Sequence, residues 1–96
     1  MYKRQILRVR APQVGEELAR QVAGAVEALR DLELYKPPGV AETIDWAQAL
    51  AALGVATIDE RTVESSLGTV LKYREDQERA REHGFGAIVS AGLART

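Results

Sequence analysis

The chain has 96 residues, of which 46% are apolar and 28% charged, with a formal net charge of -1 and no cysteine. That describes one small globular domain; it excludes disulfides and thiolate metal sites and gives no general attraction to nucleic acid or anionic lipid. No apolar run approaches the roughly 18 residues of a helical membrane span and the N-terminus lacks a secretory apolar block, so a cytoplasmic protein with no membrane partner is expected.

In chain order, QILRVRAP forms a short separate element before Pro12, with Ile6, Leu7 and Val9 available to anchor it. From Gly15 to Leu32 the residues Val14, Leu18, Val22, Val26, Leu29 and Leu32 recur every three or four positions, which predicts an amphipathic helix. Glu16 and Glu17 in its first turn and Arg30 near its end suit the helix dipole. Leu34 to Gly39 must break the helix, because Pro37 and Pro38 donate no amide and push the preceding residue away from helical angles.

A second helix is predicted from about Ala41 to Thr43 up to Gly54, with Ile44, Trp46, Ala47, Leu50, Ala51 and Leu53 turned inward. Val55 to Ile58 is short and β-branched, either a linker or a minimal strand. Asp59 is placed to cap a third helix carrying Val63, Leu67, Val70 and Leu71, which Gly68 could divide. KYREDQERAREHG has almost no apolar residue and puts Lys72/Asp76, Arg74/Glu78 and Glu75/Arg79 at i,i+4, the pattern of a solvated helical extension. GFGAIVSAGLART reads as a loosely held tail able to dock Phe85, Ile88, Val89 and Leu93.

The chain offers little chemistry. VATIDE ends an apolar run in Asp-Glu, as a magnesium-holding strand does, but Lys3, Lys36 and Lys72 lie in no glycine-rich phosphate loop, so Asp59 reads as a cap. His83, the one histidine, has only scattered carboxylates beside it, which is no metal site. Ser65, Ser66 and Ser90 have no base at a motif spacing, so no catalytic residue is assigned. The second and third helices could form a helix-turn-helix, but the recognition helix would begin with Glu60 and Glu64 where DNA needs donors and positive charge.

The succession from APQVGEELARQ through PGVAETIDWAQAL to LGTVLKYREDQ resembles the C-terminal helical lid of MoxR-type AAA+ ATPases, and the resemblance covers about residues 6 to 82. It is most similar to the branch associated with maturation of carbon monoxide dehydrogenase. The resemblance implies an all-α lid over residues 6–83, preceded by a non-family segment 1–5 and followed by a tail 84–96. It further implies an N-terminal AAA+ nucleotide-binding domain missing from this chain, ATP and magnesium bound there, a ring of identical subunits, and a von Willebrand factor A-domain partner. A chain with the lid alone is expected to be inactive by itself.

By the same resemblance the Pro-Pro-Gly turn leads into the sensor-2 helix, so Glu42 and Thr43 fall at the nucleotide-facing position. Many AAA+ lids carry an arginine there; a carboxylate cannot replace it beside a phosphate, which favours a positioning or inter-subunit role, the plain alternative being that Glu42 and Thr43 simply cap the helix. Lys72, Tyr73 and Arg74, where the apolar stripe ends, are expected at an interface.

The expected fold is thus a bundle of three to four helices, with a core of Leu18, Val22, Val26, Leu29, Ile44, Trp46, Leu50, Leu53, Val63, Leu67 and Leu71. The alternative is a free-standing helical protein-interaction module. A lid must leave apolar side chains open for its partner, with Ile6, Leu7, Tyr35 and Val40 the ones to inspect, whereas a self-sufficient module hides them.

Overall fold

The computed structural model describes residues 14–94, which form five α-helices and, among those residues, no strand. The helices are α1 (Glu16–Arg30), α2 (Val40–Ala52), α3 (Glu60–Val70), α4 (Arg74–His83) and α5 (Phe85–Ala94). Ile6, Leu7, Val9 and the segment 1–5 lie outside the described residues.

α1 is the centre of the bundle. Its predicted stripe, Leu18, Val22, Val26 and Leu29, is buried, but so are Ala19, Gln21, Ala23 and Ala25 on its other sides. The reason is that α5 lies along α1 as its most extensive contact while α2 covers another face. The segment expected to be a loose tail is therefore a core helix, with Ile88 fully buried and Val89 nearly so. Gly92 lets the two backbones meet: a Cβ there would stand 2.7 Å from the Gln21 carbonyl oxygen and 2.8 Å from Ile58 Cδ1.

Gln21 ties α1 to the connection that precedes α3. Its Nε2 donates to Glu17 Oε2 at 2.8 Å, and its Oε1 accepts the Ile58 amide at 2.8 Å. Val55 to Ile58 is thereby fastened as a connection rather than a strand, and the Ile58 side chain is buried.

α2 and α3 pack on each other with Trp46 fully buried between them. Ten of the eleven expected core residues are buried; Leu53 is 71% exposed. It sits one residue past the end of α2, just before Gly54 turns the chain at φ 80°, where the inward stripe has run out. Asp59 caps α3 as expected, its Oδ1 accepting the Thr62 amide at 2.8 Å while the Thr62 hydroxyl accepts the Asp59 amide at 2.9 Å. α3 runs through Gly68 without dividing.

The break falls instead at Leu71–Tyr73, where Leu71 (φ -118°, ψ 120°) and Tyr73 (φ -97°, ψ 137°) are extended. α4 is accordingly a separate helix and not a solvated extension of α3. Ala80 and Asp76 on it are buried, the three anticipated i,i+4 pairs do not form, and its ion pair is Arg81 with Glu78 at 3.1 Å. Asp76 has a backbone partner instead.

Candidate functional site

Two breaks in the helical chain meet at one end of the bundle, residues 31–39 between α1 and α2 and residues 71–73 between α3 and α4. Asp76, 2% exposed in the first turn of α4, joins them: its Oδ1 accepts the Tyr35 amide at 2.8 Å and its Oδ2 the Lys36 amide at 2.9 Å. Next come Pro37 and Pro38, which have no amide to satisfy; Arg30 Nη1 donates to the Pro38 carbonyl at 2.6 Å. On the other break, Gln77 Nε2 donates to the Leu71 carbonyl at 2.9 Å.

Of the backbone these bonds hold, the Tyr35 and Lys36 side chains are exposed, whereas Pro38 and Leu71 are buried. Tyr35 is 76% exposed and Tyr73 49%, yet their ring centroids lie 6.4 Å apart at 48°, within the range of favourable aromatic pairs. Val40, exposed at the start of α2, is the third large apolar residue near these breaks. Lys36, Lys72 and Arg74 are exposed as well, and among the described residues none has an ion-pair partner.

The start of α2 is occupied by its own side chains. Glu42 Oε1 accepts the Gly39 amide at 3.0 Å, and Thr43, 3% exposed, donates its hydroxyl to the Gly39 carbonyl at 2.7 Å. The amides of Glu42 itself and of Gly39 hold the Glu42 carboxyl below the usual glutamate range, against a weaker opposing effect of burial and with help from Lys36 and Lys72. The Gly39 amide thus already binds a carboxylate and the Thr43 hydroxyl is turned to the backbone, so neither is open to a phosphate.

Of the residues anticipated from sequence, Glu42 and Thr43 are therefore bonded within the α2 terminus, while Lys72, Tyr73 and Arg74 stand exposed at the α3–α4 break. The contact of Tyr73 with Tyr35 and the Asp76 anchor were not anticipated. An acid in the first turn of a charged helix carries no sign that its partners are amides 40 and 41 residues away.

The remaining candidates have structural surroundings. Ser66 is buried and accepts the Trp46 indole N–H at 2.7 Å, Ser65 and Ser90 are exposed, and His83 is exposed in the last turn of α4. Among the described residues no group of His, Asp and Glu could hold a metal ion, and no helix is long and apolar enough to cross a membrane. No family model, curated protein or solved structure matches the chain.

Proposed function

We propose that this chain acts as the C-terminal helical lid of a MoxR-type AAA+ ATPase of the branch linked to metalloenzyme maturation, a docking domain without chemistry of its own. The observation that carries the reading is the exposure of Tyr35 and Val40 beside the Pro-Pro-Gly turn, the apolar side chains a lid must leave open for its partner. The rival, a free-standing interaction module, should hide nearly all of its large side chains, and a tyrosine 76% exposed on a loop fixed by a buried aspartate counts against it.

In this reading ATP and magnesium belong to the partner nucleotide-binding domain, in the cytoplasm. Glu42 and Thr43 set the direction of α2 and do not sense phosphate. Lys72, Tyr73 and Arg74 face a neighbouring subunit of a ring or a von Willebrand factor A-domain protein, as a chaperone-like machine requires.

The test is reconstitution. The purified chain, added to a MoxR-type nucleotide-binding domain deprived of its own lid, should co-sediment with it and raise its ATP hydrolysis, and Tyr35→Ala should weaken the association about tenfold, the scale of an interface anchor. No association at about 100 μM, a weak-complex concentration, with the chain folded by circular dichroism, overturns the lid reading.

A further inference from the structure

The geometry points to α4 being a hinged strap, held shut by Asp76 on the Tyr35 and Lys36 amides, which opens and closes together with the 31–39 loop while α1, α2, α3 and α5 stay folded. The device belongs to the fold and does not depend on the lid reading.

α4 is bounded by a break at each end: Leu71 and Tyr73 are extended before it, and Gly84 follows it at φ 105°, an angle that glycine takes readily. It can therefore turn as a unit. Of its ten residues only Asp76 and Ala80 are buried, so a single methyl group is the buried apolar side chain that it gives the core. Its contact with α5 is the slightest of the main helix pairs. A ten-residue helix with no apolar stripe is marginal by itself in water, so α4 keeps its place and its helical form through polar ties.

Those ties are few. Gln77 bonds to the Leu71 carbonyl within the break at the start of α4, and the Arg81–Glu78 pair lies inside the helix. Among the described residues, Asp76 alone on α4 hydrogen-bonds across the fold, to amides 41 and 40 residues away at 2.8 and 2.9 Å, and bonds to an ionised acceptor are the stronger kind. Beside this latch the two surfaces stand apart: a groove of about 590 Å³ is lined by Leu32, Leu34 and Tyr35 on the loop and by Glu75 and Arg79 on α4. Release of Asp76 frees both amides and lets Tyr35 leave Tyr73, whose rings stand 6.4 Å apart when the latch is shut. The loop that leads into α2 and the helix that follows α3 are thus coupled through one carboxylate, and whatever engages either one shifts the other.

Native-state hydrogen exchange, followed by nuclear magnetic resonance on the ¹⁵N-labelled full chain, tests the strap. The Tyr35 and Lys36 amides should share the protection of the α4 amides from Glu78 to His83, and that protection should be lower by about tenfold or more than that of Val22 to Leu29 in α1 and Ile88 in α5. Asp76→Ala should lower the protection of α4 and of both loop amides about tenfold or more, the scale of a lost bond to a charged group, and leave α1 and α5 unchanged. The α4 amides decide, since they bond within their own helix. Alanine is the better helix former, and Glu75→Ala, which removes the exposed acid of the same first turn, controls for the helix dipole and should leave Tyr35 and Lys36 unmoved. Protection of α4 equal to that of α1, protection of Tyr35 and Lys36 unlike that of α4, or α4 amides indifferent to Asp76→Ala each overturn the proposal. So does an Asp76→Ala chain that loses protection equally in α1 and α5 or fails to fold, because a strap opens without its core.

Discussion

The indole N–H of Trp46 donates to the Ser66 hydroxyl across 2.7 Å, and this bond joins α2 to α3 inside the core. Ser66 in turn donates to the Thr62 carbonyl one helical turn earlier, so neither buried polar group is left unpaired. Trp46→Ala should cost about 3 to 5 kcal/mol. Ser66→Ala should cost about 1 to 3 kcal/mol by leaving the indole N–H unsatisfied. Urea denaturation of both variants and of Trp46→Phe/Ser66→Ala separates packing from the hydrogen bond. A midpoint unchanged by Ser66→Ala would show that the bond contributes nothing.

Two glycines at helix-interior positions should respond with opposite sign. Gly68 in α3 has nothing within 4 Å of an added Cβ, so Gly68→Ala should stabilise by about 0.5 to 1 kcal/mol through helix propensity. Gly92 faces the Gln21 carbonyl oxygen at 2.7 Å, so Gly92→Ala must move α5 off α1 and should cost about 1 to 3 kcal/mol. Thermal melts of the two variants check the contrast; equal shifts would mean that α5 does not rest on α1.

Acid should weaken the domain through its caps. The Asp59 carboxyl is held low by the Thr62 amide and then the Thr62 hydroxyl, and that of Glu42 by its own amide and then that of Gly39. For both, the folded pKa lies below the unfolded one, so the stabilisation is complete above the unfolded range near about pH 4 and is lost as the pH falls through the lowered folded values. The urea midpoint should therefore drop below about pH 4, and Glu42→Gln should drop less from its own neutral-pH value. A Glu42→Gln profile parallel to that of the unmodified chain would remove Glu42 from the account.

The chain alone should not bind ATP with micromolar affinity. One helix terminus contributes about 0.3 to 1 kcal/mol to an anion, whereas micromolar binding takes about 8 kcal/mol, and at α2 the Gly39 amide already has Glu42. Calorimetric titration with ATP and magnesium should show no saturable heat. A Kd below about 10 μM would reveal a nucleotide site away from this terminus.

Local features were legible in the sequence because their causes are local. The stripe of α1, the proline break, the Gly54 turn and the Asp59 cap each depend on residues within about one helical turn, and all four stand in the structure. Tyr73 and Lys72 were recognisable as a surface because the apolar pattern stops there.

The tertiary structure decided what depended on distant partners. FGAIVSAGLA has small and apolar residues on all sides and so shows no stripe; it becomes a core helix only because Gly92 lets it settle on the Gln21 backbone. Asp76 looked like half of a surface pair with Lys72, but two amides across the fold outbid an exposed ion pair, since such pairs are worth little in water. Gln21 was an ordinary polar position until Ile58 came to lie against it. In each case a short-range pattern names the residue type, whereas its burial and its partner are set by which helices pack together, a property of contacts between residues far apart in the chain.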